Sequence, residues 1–350
     1  MLASLEAAVH SNPPQRMLII KPSALGDVAT TLPLLCDLKA LFPASQIDWL
    51  IDPALADLVR GHDALHELIY FDRRKLAGSL THGTARTGFR TLIKTLRHNH
   101  YDIVFDAQGL LRSALLAWVS GAAVRVGFAD AREGARFLYT HRIKISRQHE
   151  LAVVRMRSLA GALGPQRDRV EFRMPVRAEA LRKIRDGLKT DRPLAAVIPG
   201  ARWDAKRWSE RGYSQIIRRL VEAGMAVMVL GAPAEQDLCG RIVEQSEVDA
   251  LNLAGTTDLA ELIAAISLCR IVVGNDSGPL HVAAALGRPL VGLYGPTDPA
   301  SVGPFGQLNH VLHFTQPGDY RKSGMEDRSA TLQSLPVETV WKMIQSILAQ

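Results

Sequence analysis

Cysteine is scarce in this 350-residue chain: Cys36, Cys239 and Cys269 are odd in number, far apart and set among apolar residues. A disulfide framework is excluded, and a reducing compartment is favoured. No CxxC pair or Cys/His cluster supplies metal-ligand spacing, so no metal and no cofactor are expected. No GxGxxG follows an apolar run, which counts against a dinucleotide oxidoreductase, and no GxxxxGK(S/T) occurs, which counts against a P-loop enzyme. Helix-turn-helix, zinc and RNA-binding signatures are missing as well, so no nucleic-acid partner is expected. No window approaches the roughly 18 uncharged apolar residues of a spanning helix. The opening MLASLEAAV is too short and too poor in basic residues for a secretory signal. The expected location is cytoplasmic.

What the chain does contain is an ordinary globular composition, 47% hydrophobic and 22% charged with 27 Gly and 18 Pro. At about 150 residues per domain, its length suggests roughly two domains. The 42 Lys and Arg exceed the 35 Asp and Glu, a formal charge of +7, so anionic partners are favoured.

After a leader over residues 1–16, short apolar runs alternate with helical periodicities. Strands are expected at Met17 to Lys21, Ile47 to Ile51, Asp102 to Asp106 and Val124 to Phe128. Helices are expected from about Leu110 to Val119 and from His149 to Ala162. A helix and polar linker over 176–193 separate this series from a second one. Its strands are Leu194 to Ile198, Ala226 to Leu230, Ile271 to Val273 and Leu290 to Leu293. Gly224 is placed to end a helix, Asp258 with Glu261 to start one, and Pro336 to open an amphipathic last helix. Such alternation defines an α/β chain with parallel sheets covered by helices. The expected domains are residues 17–175 and 194–334, with a C-terminal helix over 335–350.

Ligands of open α/β sheets bind beyond the carboxyl ends of strands, which singles out four places. In Lys21-Pro22-Ser23-Ala24-Leu25-Gly26-Asp27, Asp27 is either a helix cap or a carboxylate able to take a proton from a hydroxyl. In Gly274 to His281, the backbone around Ser277 and Gly278 suits phosphate, with His281 one turn further; the alternative is an ordinary strand-to-helix turn. In Pro199 to Trp208, Lys206 or Arg202 suits a diphosphate and Trp203 or Trp208 a stacking partner, or the loop is merely basic and solvated. In Gly231 to Gln236, Glu235 suits ribose hydroxyls, or starts a helix.

These residues carry a resemblance. Lys21 to Val28 with Thr31-Leu32-Pro33, Asp106 to Leu110, Lys206-Arg207-Trp208, Asp276 to His281 and Tyr294 to Pro299, in this order, resemble the ADP-heptose:lipopolysaccharide heptosyltransferases of glycosyltransferase family 9. The resemblance covers the chain from about Met17 onward. It implies a GT-B fold, two Rossmann-like domains facing a cleft, with the last helix open to crossing back to the first domain. It implies an inverting enzyme that moves heptose from ADP-heptose to the lipopolysaccharide inner core of a bacterium. Asp27 matches the proposed base, Lys206 the diphosphate lysine, and Asp276, Ser277, Gly278 and His281 the donor loop. By the same resemblance Glu235 is similar to a glutamate near the ribose, and Thr256 is implied as a further donor contact.

Acceptor contacts are expected from the first domain, at Ser23, Gln108, Arg73, Arg74 and Arg90. The last three belong to a basic stretch suited to an anionic glycan or lipid phosphates, which leaves peripheral contact with the inner membrane face open. The alternatives are another nucleotide-sugar or acceptor, or a non-catalytic nucleotide-sugar or polyanion binder.

Overall fold

The computed structural model describes residues 2–72, 83–145, 150–314 and 332–350. The chain divides into two compact units, Met1–Pro175 and Val176–Gln350.

In the first unit, β1 (Arg16–Ile20), β2 (Gln46–Ile51), β3 (Glu67–Tyr70), β4 (Ile103–Asp106), β5 (Val124–Phe128) and β6 (His141–Ile143) form one sheet in the order β3-β2-β1-β4-β5-β6. In the second, β7 (Leu194–Ile198), β8 (Ala226–Val229), β9 (Leu251–Asn252), β10 (Cys269–Asn275), β11 (Leu290–Tyr294) and β12 (Val311–His313) repeat that order as β9-β8-β7-β10-β11-β12. The registered pairs, from Met17 with Ile47 to Met228 with Leu251, are all parallel. A parallel strand is covered by helices on both faces, which is why central strands such as MLII and AAVI are apolar without alternation and fully buried.

Helix boundaries follow local chemistry. Asp258 accepts the Glu261 N–H at 2.8 Å while Glu261 accepts the Asp258 N–H at 3.0 Å, a reciprocal cap that starts Leu259–Leu268. Helix Glu210–Glu222 ends at Gly224, whose φ of +83° lets the Met225 N–H reach Leu220 O at 3.0 Å and its own N–H reach Val221 O at 2.9 Å. The expected helix from His149 to Ala162 is shorter: Ala152–Arg157 followed by a 3-10 turn at Ala160–Ala162, with residues 146–149 outside the described residues.

Three segments at the edges of the expected domains have defined packing partners. The leader contains a helix, Leu2–Ser11, that buries Leu5 and Val9 and lies against the turn Ala160–Ala162, so its apolar positions belong to the first unit's core. Helix Ala178–Leu188, expected as a linker, buries Ala180 and Ile184 beside Leu259–Leu268 and pairs Lys183 with Glu261. The last helix, Val337–Leu348, which the resemblance lets return to the first domain, buries Val340, Ile344 and Ile347 in the second unit's core. Its apolar face is satisfied there.

The three cysteines are buried and unpaired, and burial pushes each thiol up to about 12. The thiolate is the reactive form, so all three are expected to resist alkylation by iodoacetamide in the native protein at pH 8. All three should react once the chain is unfolded in guanidinium, and mass spectrometry counts the adducts.

Candidate active site

Each sheet has its topological switch point between its two central strands, β1 and β4 in the first unit and β7 and β10 in the second. Chain leaving those carboxyl ends diverges to opposite faces and opens a crevice there. The candidate residues concentrate at these two places.

In the first unit, the turn after β1 leads into the short helix Leu25–Ala29, with Asp27 in its first turn. Asp27 is exposed, and its Oδ2 accepts only the Ala24 N–H, at 3.2 Å, among the hydrogen bonds described. The hydroxyls of Thr30 and Thr31 bind its backbone carbonyl at 3.1 and 2.7 Å, which fixes the residue while leaving the carboxylate open. Asp27 is therefore a helix-start residue with an exposed carboxylate, an arrangement that fits either sequence reading.

After β4, Asp106 is fully buried and organises the neighbouring loop. Its Oδ1 accepts the Gln108 and Gly109 N–H groups, both at 3.0 Å; its Oδ2 accepts Ser113 Oγ at 2.9 Å and the Tyr139 hydroxyl at 2.6 Å. Burial pushes the Asp106 carboxyl above its usual range, and those four donors oppose the shift. Tyr139 reaches it by lying over Gly127, where an added Cβ would come within 2.4 Å of the ring. Ser23 and Gln108 line one pocket with Pro22, Phe71, Arg112 and Ser113. Gln108 Oε1 is buried there with no hydrogen-bond partner among the described residues. Of the basic acceptor candidates, Arg90 is exposed on helix Gly83–His98, whereas Arg73 and Arg74 lie outside the described residues.

In the second unit, Lys206 Nζ pairs with Asp276 Oδ2 at 2.6 Å, and both side chains are largely withdrawn from solvent. Trp203 places its ring 5.2 Å from the same ammonium, a cation–π contact. Trp208, by contrast, is buried and donates its indole N–H to Leu335 O at 2.9 Å, so it belongs to the core and not to a stacking platform. Arg202 is exposed. Ser277 precedes helix Gly278–Ala285, and its Oγ is buried without a hydrogen-bond partner among the described residues. Gly278 is the first residue of that helix and His281 stands in its first turn.

Glu235 follows β8, and its Oε2 accepts the Ala232 N–H at 2.8 Å. The carboxylate lies directly over Gly200: a Cβ there would sit 2.0 Å from Oε1, so only glycine admits it. The Gly255 N–H donates to Gly231 O at 2.9 Å, which holds the loop carrying exposed Thr256 next to the loop carrying Glu235. The structure thus gathers Lys206, Asp276, Ser277, Gly278 and His281 at the switch point, with Glu235 and Thr256 on the adjoining loops.

Two residues were not singled out by sequence. Thr297 donates its hydroxyl to Asp276 Oδ2 at 2.5 Å, so it steadies the partner of Lys206. Asn275 donates from Nδ2 to Pro199 O at 2.7 Å and accepts the Trp208 N–H at 3.1 Å, which ties the loops after β7 and β10 together. A third group, Asp48, His66 and Glu67, brings ligand atoms within 4.8 Å of one another. Asp48 is buried and already accepts from Tyr101, Arg16 and His66, so its neighbours compensate its charge.

Two Rossmann-like parallel α/β units, each with candidate residues at its switch point, match the GT-B architecture of glycosyltransferases. The model of glycosyltransferase family 9 (heptosyltransferase) matches residues 89–331, and the chain belongs to that family. It is 31% identical to lipopolysaccharide heptosyltransferase 1 of Salmonella typhimurium over 303 residues, 83% of this chain and 92% of that protein. Among solved structures, it matches E. coli ADP-heptose lps heptosyltransferase II with a TM-score of 0.78 and 26% identity, over 96% of this chain and 99% of that one. It also matches E. coli heptosyltransferase WaaC with ADP, with a TM-score of 0.77 and 26% identity, over 95% and 99% of the two chains.

Proposed function

We propose that the protein transfers a heptose from ADP-heptose to a sugar of the lipopolysaccharide inner core with inversion at the anomeric carbon. The observation that carries this reading is the Lys206–Asp276 pair set beside Ser277 and the start of helix Gly278–Ala285. A held cation, a buried hydroxyl and the backbone N–H groups of a helix start at one strand end suit a diphosphate. The names of the relatives supply the sugar and the acceptor class.

In this reading Asp27 accepts the proton of an acceptor hydroxyl while that oxygen bonds to the anomeric carbon. The bond from that carbon to the diphosphate oxygen breaks on the opposite side, and its electron pair leaves with ADP. Lys206, the N–H groups at Ser277 and Gly278, and His281 steady the growing phosphate charge. Asp276 acts through Lys206, because a carboxylate placed on the diphosphate itself would repel it; Thr297 in turn orients Asp276. Glu235 accepts hydrogen bonds from ribose hydroxyls, and Thr256 contacts the same end of the donor. Ser23 and Gln108 receive the acceptor sugar, with the unpartnered Gln108 Oε1 taking one of its hydroxyl protons in a hydrogen bond. The reaction belongs at the cytoplasmic face of the inner membrane.

Measuring turnover with ADP-heptose against UDP- and GDP-sugars on a lipid-free inner-core fragment tests the assignment. Preference for ADP-heptose is expected; a preference for a UDP-sugar rejects the donor.

A further inference from the structure

The outer side of the first unit's helical layer has a character that the site does not use. Helix Leu111–Val119 lines the pocket near Ser23 with Arg112, Ser113 and Leu116, yet turns Leu111, Leu115 and Trp118 to solvent. Their i, i+4, i+7 spacing makes one stripe. Helix Gly83–His98 packs beside it through Leu92, Leu96, Leu116 and Ala117, and Arg97 Nε donates to Val119 O at 3.1 Å. The turn Ala135–Leu138 packs on its other flank. These neighbours add exposed Phe89 and Phe137, the latter 68% exposed. Five of the nine large hydrophobic side chains exposed among the described residues therefore lie in this one layer.

The same layer is cationic. Arg90, Lys94 and Arg97 form a second stripe at i, i+4, i+7 on helix Gly83–His98, and all three are exposed. Arg136 and Arg142 hold their guanidinium groups 4.8 and 5.9 Å from the Phe137 ring. Residues 83–145 carry ten Lys and Arg against four Asp and Glu, so they account for +6 of the formal +7. One of those four acids, Asp106, is fully buried.

We propose that this layer, with Leu115 and Trp118 at its centre, is a docking face for an anionic lipid bilayer. Leu, Phe and Trp interleaved with Lys and Arg match the acyl–headgroup boundary of such a surface, where apolar side chains insert and cations meet phosphates. A second copy of the chain is a poor occupant because two strongly positive faces would repel. No helix among the described residues is long and apolar enough to cross a membrane, so the contact is peripheral. The inference deepens the proposed function and rests on its lipid-borne acceptor: one helix touches the bilayer with one side and lines the acceptor pocket with the other.

The test is co-sedimentation of the full chain with vesicles of phosphatidylcholine alone or mixed with phosphatidylglycerol. Binding to the anionic vesicles is expected, weakened by high salt. In Leu115→Ser/Trp118→Ser it should fall at least about tenfold. Lys94→Glu/Arg136→Glu should weaken it several-fold on anionic vesicles only. Because Leu115 and Trp118 are exposed, the double variant should keep the wild-type melting temperature and its turnover on the lipid-free acceptor fragment. Equal sedimentation of wild type and double variant overturns the proposal. So does concentration-dependent self-association that the double variant abolishes without any vesicle binding. Vesicle binding lost in the double variant of a protein that rejects ADP-heptose supports the face while refuting the donor assignment, so the two failures are separable.

Discussion

Asp27→Asn is expected to lower turnover at least about a hundredfold while leaving ADP-heptose binding near its wild-type strength. The amide keeps an oxygen for the Ala24 N–H, the one side-chain hydrogen bond described for Asp27, so the start of helix Leu25–Ala29 survives. What it loses is the capacity to receive a proton. Its exposed position means that little stability is at stake, and a reduced rate would report chemistry and not misfolding. Rapid-quench turnover with calorimetric titration of the donor separates the two quantities. Near-normal turnover would remove Asp27 from the role of base.

Lys206→Met should have the other large effect, a loss of at least about a hundredfold in turnover together with weaker ADP binding. It should also lower stability by about 3 kcal/mol, because Asp276 would then be a buried carboxylate with the Thr297 hydroxyl as its remaining described side-chain partner. The double variant Lys206→Met/Asp276→Asn separates the effects. Removing the stranded charge should recover most of the melting temperature, yet ADP affinity should stay low because the phosphates still lack their cation. Recovery of ADP binding in the double variant would show that Lys206 serves only to neutralise Asp276.

Much of this was legible in the sequence for a definite reason. The central strands of a parallel sheet are buried on both faces, so β1, β4, β7 and β10 announce themselves as unbroken apolar runs, and the residues just after them stand at the ligand-binding edge. The outer strands are different. ELIY, HRI, LN and VLH at β3, β6, β9 and β12 are short and pair on one side only, so too little apolar pattern marks them. The helix Leu2–Ser11 has a short apolar pattern whose packing partners lie far along the chain. At the candidate site, residue type and position after a strand were enough to mark Lys206 and Ser277 as candidates, and the structure places both at the switch point of the second sheet. They could not separate exposed Trp203 from buried Trp208, since both flank the same loop. Thr297 lies within the Tyr294 to Pro299 motif, yet the sequence alone marks no role of its own for it, because its hydrogen bond to Asp276 joins residues 21 apart.

The parallel pairing within both sheets bears on how the chain acquires its shape. No two described strands are joined as a hairpin, so each ladder waits for a helical crossover to close, and assembly should be slow compared with a helical bundle of equal size. Since the contacts cluster within residues 1–175 and 176–350, the leading half can consolidate on the ribosome before the trailing half has emerged.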